Sequence, residues 1–166
     1  MSQSPFNIRP AVAGDLQVIN AIYNHYIEHT AITFDEQPWS TAQREHWFAQ
    51  YKHGPYSLLV ATCQEQVIGF AYTSPFRSKS AYQRSAEVTI YTDNTIIKGV
   101  GTALYKALIM AAERHFHRLY AMIALPNDKS LALHSKCGFQ QVGILDDVGY
   151  KFGNYHSVAI LEKHTS

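Results

Sequence analysis

Residues 91–103, YTDNTIIKGVGTA, constrain the fold more than any other stretch of the chain. A β-rich run, Ala86 to Tyr91, ends there. A short polar segment follows, and Gly99 and Gly101 stand where a helical run begins. A strand that turns tightly into a helix leaves the first helical N–H groups without intrahelical acceptors. Those groups form an anion site suited to a pyrophosphate, and so to a nucleotide-containing cofactor. The turn is not a P-loop, because no GK[ST] follows at the required spacing. The GxGxxG dinucleotide fingerprint is missing too.

The rest of the chain reads as alternating strands and helices. Residues 6–9 form a first strand. Ala13 to His29 carries Leu16, Ile19, Ile22, Tyr23, Tyr26 and Ile27 on one broad helical face. Ser40 or Thr41 caps a second helix, 42–51. Strands are expected over 56–63 and 66–73, joined by a turn at Gln64-Glu65, with a polar, basic loop from Pro75 to Tyr82. A helix over 101–116, an apolar strand over 119–125, a helix over 130–137 closed by Gly138, and strands over 139–145 and 155–162 complete the order. The pattern predicts one α/β domain, 1–166, with a mixed, mostly antiparallel sheet flanked by helices.

Composition sets limits on function. Fourteen basic and thirteen acidic side chains give a net charge of +1, with no basic stripe for nucleic acid. No apolar run approaches a membrane span, and the N-terminus lacks the apolar core of a signal peptide. Cys63 and Cys137 are expected to be reduced, buried small hydrophobes in a cytoplasmic protein. Among nine histidines only His25 and His29 share a helical face, and no further ligand at zinc spacing accompanies them, so no metal is expected. Eleven tyrosines, eight phenylalanines and two tryptophans make either an aromatic core or an aromatic-lined pocket.

Two blocks carry a resemblance. PNDKSLALHSKCGF, 126–139, follows an apolar strand with Asn, then Ser three residues later, then Gly-Phe. SAEVTIY precedes the glycine turn. In this order they resemble the GCN5-related N-acetyltransferase (GNAT) cofactor site. With RPAVAGDLQVINAIYNHYIEHTAITFD, FRSKSAYQRSAEVTIY and GYKFGNYHSVA, the chain is similar to the phosphinothricin/methionine sulfone acetyltransferase branch over nearly its whole length. The resemblance implies an enzyme of GNAT fold, acetyl-CoA as co-substrate, a small amino acid or analogue as acceptor, and a homodimer. One departure stands out. The family carries Gln or Arg three residues before the first glycine, whereas this chain has Ile96 in a loop one residue shorter. The expectation is weaker cofactor binding, not its loss, because backbone N–H groups need no particular side chain.

The resemblance also implies roles. An ammonium has no lone pair, and lysine's reference pKa is ~10.4, so acetyl transfer to an amine needs a base. Glu87 is the candidate; strand alternation groups it with Thr89 and Tyr91, opposite Val88 and Ile90. His134 occupies the position near the departing sulfur. It would protonate the thiolate or help deprotonate the amine, since its reference pKa of ~6.5 allows either. Arg77, Lys79 and Tyr82 would receive the acceptor carboxylate, and Phe34 would cover the acceptor. Lys98, Gly99, Val100, Gly101 and Thr102 would hold the pyrophosphate. Ile90, Tyr91 and Thr92 would offer backbone to the pantetheine arm, with N–H donors near Ile90 facing the oxyanion. Asn127 and Ser130 would bind the arm from the other side, unless Ser130 caps its own helix. Two alternatives stay open: a GNAT enzyme with another acceptor (a protein N-terminus, a polyamine or an aminoglycoside), or a non-catalytic acyl-CoA sensor. Arg77 and Lys79 oppose a cationic acceptor, and retention of Glu87 with His134 opposes the sensor.

Overall fold

The computed structural model describes residues 5–93 and 97–165. Strand β1 (Asn7–Pro10) ends at a proline, tolerated because the strand lies at a sheet edge. Asp15 then fixes the turn into α1 (Leu16–His29): it accepts from both Arg9 guanidinium nitrogens, at 2.7 and 2.9 Å, and from Val12 N at 2.8 Å. Helix α1 buries Leu16, Ile19, Ile22, Tyr23 and Ile27, the face set by its apolar spacing. Helix α2 (Thr41–Phe48) begins with a reciprocal cap: Ser40 Oγ accepts from Gln43 N, and Gln43 Oε1 accepts from Ser40 N. Strands β2 (Leu58–Cys63) and β3 (Gln66–Pro75) form a hairpin through Gln64 and Glu65, both at positive φ. Strand β4 (Ser85–Thr92), α3 (Val100–Ala112), β5 (Arg118–Ala124), α4 (Asp128–Lys136), β6 (Gln140–Lys151) and β7 (Asn154–His164) follow.

All seven strands join one sheet in the order β1-β2-β3-β4-β5-β7-β6. Every pair is antiparallel except β4 with β5. One face packs on α3 through Ala71, Val88, Leu104, Leu108, Leu119 and Leu161. The other packs on α1 through Ile19, Tyr23, Val60, Phe70 and Tyr91, with Trp39, Trp47, Tyr51 and Tyr72 against it. The aromatic residues of this second face therefore form a packed layer. Among the described residues, no helix is long and apolar enough to cross a membrane.

Several boundaries differ from the sequence expectation. Helix α3 stops at Ala112, four residues before the expected end. The N–H groups of His115 and Phe116 both donate to Ala112 O at 3.0 Å, and this turn swings Phe116 into the core against Tyr56. Strands β6 and β7 run well past the expected 145 and start before 155, because bulges carry β6 across the polar Asp146-Asp147 step. Cys63 and Cys137 are free, but only half-buried rather than buried: one sits beside the β2–β3 turn, the other at the end of α4.

Candidate active site

Pairing between β4 and β5 starts at Ser85↔Arg118 and ends at Glu87↔Tyr120. Beyond Glu87, β4 stays on β3 as far as Thr92↔Gly69, and β5 stays on β7 as far as Ala124↔Val158. The two central strands therefore part, and the β4 edge from Val88 to Thr92 faces the opening with no strand partner. Backbone groups there require hydrogen bonds, which an extended amide-containing chain can supply. Ile90 and Thr92 are half-buried along this edge; Tyr91 turns its ring into the α1 layer. One lone pair of the Thr92 carbonyl is already used, by Tyr26 Oη at 2.7 Å.

The opening leads to the N-terminus of α3. Gly99 sits at φ +90°, a backbone conformation that suits glycine, and caps the helix. Its carbonyl accepts from Ala103 N at 3.0 Å, so the helix is wound from its first turn. The N–H groups of Gly101 and Thr102 find no backbone acceptor among the described residues. Val100 N makes only a long 3.4 Å contact to Ile97 O, while its side chain is core. Lys98 and Gly99 are exposed at the mouth. Ile96 lies outside the described residues.

Glu87 is half-buried on the α1 face of the sheet, with Thr89 and Tyr91, as alternation requires; Val88 points into the α3 core. Burial raises the carboxyl's pKa, and the positive charge of Arg77 pulls partly against it. Tyr72 stands across β3, paired with Thr89 and sensing both Glu87 and Asp35, and its hydroxyl is pushed up to about 12, chiefly by burial. Arg77 itself is exposed, its guanidinium 4.4 Å from the Phe76 ring and donating to Phe76 O. Lys79 and Tyr82 are exposed on the short 3-10 turn that follows, the Tyr82 ring 5.9 Å from Phe76.

His134 lies in the other layer. It is 2% exposed, packed on Tyr105 and Phe139. Its Nδ1 lies 2.7 Å from Ser130 O. A carbonyl only accepts, so Nδ1 carries the proton and Nε2 carries a lone pair. Nε2 has no partner among the described residues, and neither does Tyr105 Oη. Burial lowers the ring's pKa, with the Ser130 bond working the other way. A neutral ring in this tautomer can accept a proton at Nε2 and has none to donate there. Of the two roles expected for His134, acceptance is the one this geometry suits. Helix α4 is capped by Asn127, whose Oδ1 accepts from Ser130 N at 3.1 Å; Ser130 is not the cap. The Ser130 hydroxyl instead faces His134 Nδ1 at 3.4 Å.

Three features had no place in the sequence reading. Arg44 is 2% exposed, its guanidinium 4.8, 4.3 and 4.5 Å from the Tyr23, Trp39 and Trp47 rings. Its Nε donates to Asn20 Oδ1, while Nη2 is unpartnered among the described residues. Asp35 accepts from Tyr23 Oη and from Trp39 Nε1. Lys151, at the end of β6, reaches back to Thr33 O. The only advance signal was the presence of Asp35 and Lys151 in stretches that carry the family resemblance. Two surface hollows, of about 520 Å³ beside the β2–β3 turn and about 660 Å³ along the outside of α2, contain none of the expected site residues.

Comparison with known proteins agrees with this geometry. Residues 8–159 match the acetyltransferase (GNAT) domain family. The chain is 42% identical to a phosphinothricin N-acetyltransferase of Streptomyces coelicolor, over 94% of each chain. It is 32% identical to an L-methionine sulfoximine/L-methionine sulfone acetyltransferase of Pseudomonas paraeruginosa, over 94% of this chain and 92% of the other. Its fold superposes, with a TM-score of 0.93 and 31% identity, on a phosphinothricin acetyltransferase of Sinorhizobium meliloti solved in complex with acetyl-CoA, covering 98% of this chain and 89% of that one. An opened central sheet, a glycine-capped helix N-terminus beside it and a half-buried carboxylate at the point of divergence thus accompany family-wide similarity, and the chain belongs to the GNAT acetyltransferase family.

Proposed function

We propose that the chain, as one acetyltransferase domain over 1–166, transfers an acetyl group from acetyl-CoA to the α-amine of a small amino acid or analogue of the phosphinothricin, methionine sulfoximine or methionine sulfone type. The observation that carries the mechanism is Glu87, a carboxylate half-withdrawn from water at the last paired position of β4. Bound acetyl-CoA supplies the acetyl group as an activated thioester. Backbone N–H groups of Lys98, Gly99, Val100, Gly101 and Thr102 hold its pyrophosphate, and the open β4 edge at Ile90, Tyr91 and Thr92 takes its amide-bearing arm, with Asn127 and Ser130 on the far side. Two observations support the fit: among the described residues, the β5-side edge of β4 has no strand partner beyond Glu87, and the N–H groups of Gly101 and Thr102 find no backbone acceptor.

Glu87 takes one proton from the acceptor's ammonium, directly or through a water, so that the amine can attack the thioester carbon; the C–S bond then breaks, and the second amine proton leaves with coenzyme A as its thiol. Arg77 and Lys79 attract the acceptor carboxylate. Tyr82 lines the same entrance and Phe34 covers the bound acceptor. Burial favours a neutral His134, whose Nε2, unpartnered among the described residues, is left able to accept a proton.

Two coarser features extend the proposal. Free, half-buried thiols suit a reducing cytoplasm. Strand β6 is a long sheet edge bearing exposed Val142, Ile144, Val148 and Tyr150, and such edges call for cover; a second copy of the chain would provide it as a homodimer, which sedimentation velocity would detect. The main experiment measures thiol release from acetyl-CoA with phosphinothricin, methionine sulfoximine, methionine sulfone, common amino acids, spermidine and an aminoglycoside. Turnover confined to the glutamate- and methionine-like analogues is expected. Silence across the panel with acetyl-CoA still bound would reject the small-amino-acid reading. Turnover on the analogues would also make a resistance role testable in cells.

A further inference from the structure

The far end of β6 grips the loop that carries Phe34. Gly149 lies under the Phe34 ring so closely that a Cβ there would stand 2.2, 2.5 and 2.7 Å from Cε2, Cζ and Cδ2. Carbon atoms rest about 3.5–4.0 Å apart. The φ of Gly149 lies outside the left-handed region, so the requirement for glycine is steric, and the three atoms nearest to such a Cβ all belong to Phe34. Two residues on, and so on the same side of the strand, Lys151 is 2% exposed and its Nζ donates to Thr33 O at 2.8 Å. Asp35 and Glu36 hold up the charge of this ammonium against burial. His156 pairs with Gly149 across the hairpin, brings its ring to 6.2 Å from Phe34, and approaches Lys151 O through Nε2 at 3.1 Å.

Thr33, Phe34 and Asp35 are consecutive, and the three are held from two sides, the α1 layer and the hairpin. Tyr23 Oη approaches Thr33 Oγ1 at 3.0 Å, and Tyr23 and Trp39 hold Asp35 from the α1 layer. Lys151 holds Thr33 from the hairpin, and Phe34 rests on Gly149. Tyr23, which holds Thr33 and Asp35, brings its ring to 5.3 Å from that of Tyr91, and Tyr91 shares the α1 face of β4 with Glu87, so the loop sits on the Glu87 side of the sheet. We infer that Gly149 and Lys151 are positioning residues for the acceptor: the tip of the β6–β7 hairpin sets the height of the Phe34 ring, and so the size of acceptor the site admits. This rests on the reading that Phe34 covers the acceptor.

A methyl group at Gly149 must push the ring away by roughly 1.3–1.8 Å to bring the 2.2 Å approach back to normal contact. Phe34 is 38% exposed and has room to move, so the fold should tolerate the change. The test compares Gly149→Ala, Phe34→Ala, the double variant, and Lys151→Met. Gly149→Ala should raise the acceptor KM about tenfold, the scale of one misplaced methylene in a pocket, with kcat and the acetyl-CoA KM within about twofold of wild type. Added to Phe34→Ala it should have no further effect, because its target is gone. Hydrogen exchange in the peptide spanning 30–38 should quicken in Lys151→Met, a readout that needs no acceptor and stays usable if Gly149→Ala fails to fold. Additive KM effects, or unchanged exchange, would overturn the inference and leave the acetyltransferase reading intact. A wild-type enzyme silent on every acceptor, with exchange still quickened by Lys151→Met, would sink the acceptor reading and support the hairpin's hold on the loop.

Discussion

On the α3 side of the sheet, the residues closing the core are mostly aliphatic, among them Ala71, Val88, Leu104, Leu108, Ala112, Leu119 and Leu161, with Tyr105, Phe116 and Phe139 between them. On the α1–α2 side they include Tyr23, Tyr26, Trp39, Trp47, Tyr51, Phe70, Tyr72 and Tyr91, with Arg44 sealed among them. The first layer is mostly aliphatic, its one buried tyrosine hydroxyl (Tyr105) makes no hydrogen bond among the described residues, and its packing holds α3 and its glycine-capped end against the sheet. The second layer is aromatic, and its hydroxyl and indole N–H groups give it polar contacts: Tyr23 to Asp35, Tyr26 to Thr92, Trp39 to Asp35. An aromatic ring contributes apolar area and a directed hydrogen bond together. The lesson is a division of labour. The dry layer supplies rigidity where a backbone anion site needs it, and the polar-edged layer supplies orientation where an acceptor amine must meet Glu87.

Substitutions can break this contrast or sharpen it. Leu104→Ala, at a fully buried position of α3, should cost about 2–5 kcal/mol of stability in urea denaturation, while kcat per folded molecule stays within about twofold. A large loss of kcat without loss of stability would end the claim that this layer is scaffold. Glu87→Gln should do the reverse, lowering kcat about 100-fold or more with no loss of thermal stability at neutral pH. The sign follows from burial. A carboxyl whose folded pKa is raised binds its proton more tightly when folded, so stability falls as pH rises through the interval between its unfolded and folded values. Glutamine removes that penalty.

Tyr23→Phe is the intermediate case. It should cost about 1 kcal/mol and raise the acceptor KM, because Asp35 and Thr33 lose their hold on the loop; steady-state kinetics beside a thermal melt would separate the two effects. The smallest expected change is in Arg77→Ala. Arg77 lowers the Glu87 pKa against burial, so its removal should shift the acid limb of the kcat/KM profile to higher pH. A shift to lower pH would contradict the assignment of Glu87 as the base.

Much of the frame was legible in sequence because its signals are local. The 3.6-residue spacing from Leu16 to Ile27, the Ser40 cap and the Gln64-Glu65 turn each act within a few residues. The candidate base came from the family resemblance, and strand alternation added only its face, opposite Val88. What sequence could not reveal depends on distant partners. Arg44 reads as an ordinary helix-surface base until Tyr23, Trp39 and Trp47 close around it. Ser130 suits a cap by sequence, and the geometry gives that place to Asn127 instead. The length of β6 was missed because Asp146 and Asp147 interrupt its apolar alternation, and the hydrogen-bonded partner that sustains the strand, β7, comes later in the chain.

The bulge in that strand carries a rule of its own. Leu145 pairs with Val158 and Gly149 with His156, so β6 spends four residues where β7 spends two. The surplus is even, and side chains alternate faces with a period of two. Gly149 and Lys151 consequently turn inward while Val148 and Tyr150 turn outward. Chain length between Leu145 and Gly149 is therefore quantised by parity. Removing both Asp146 and Asp147 should preserve which residues meet the Phe34 loop, whereas removing one should exchange the loop-gripping set for the solvent-facing set, an inversion that single-residue deletions would reveal.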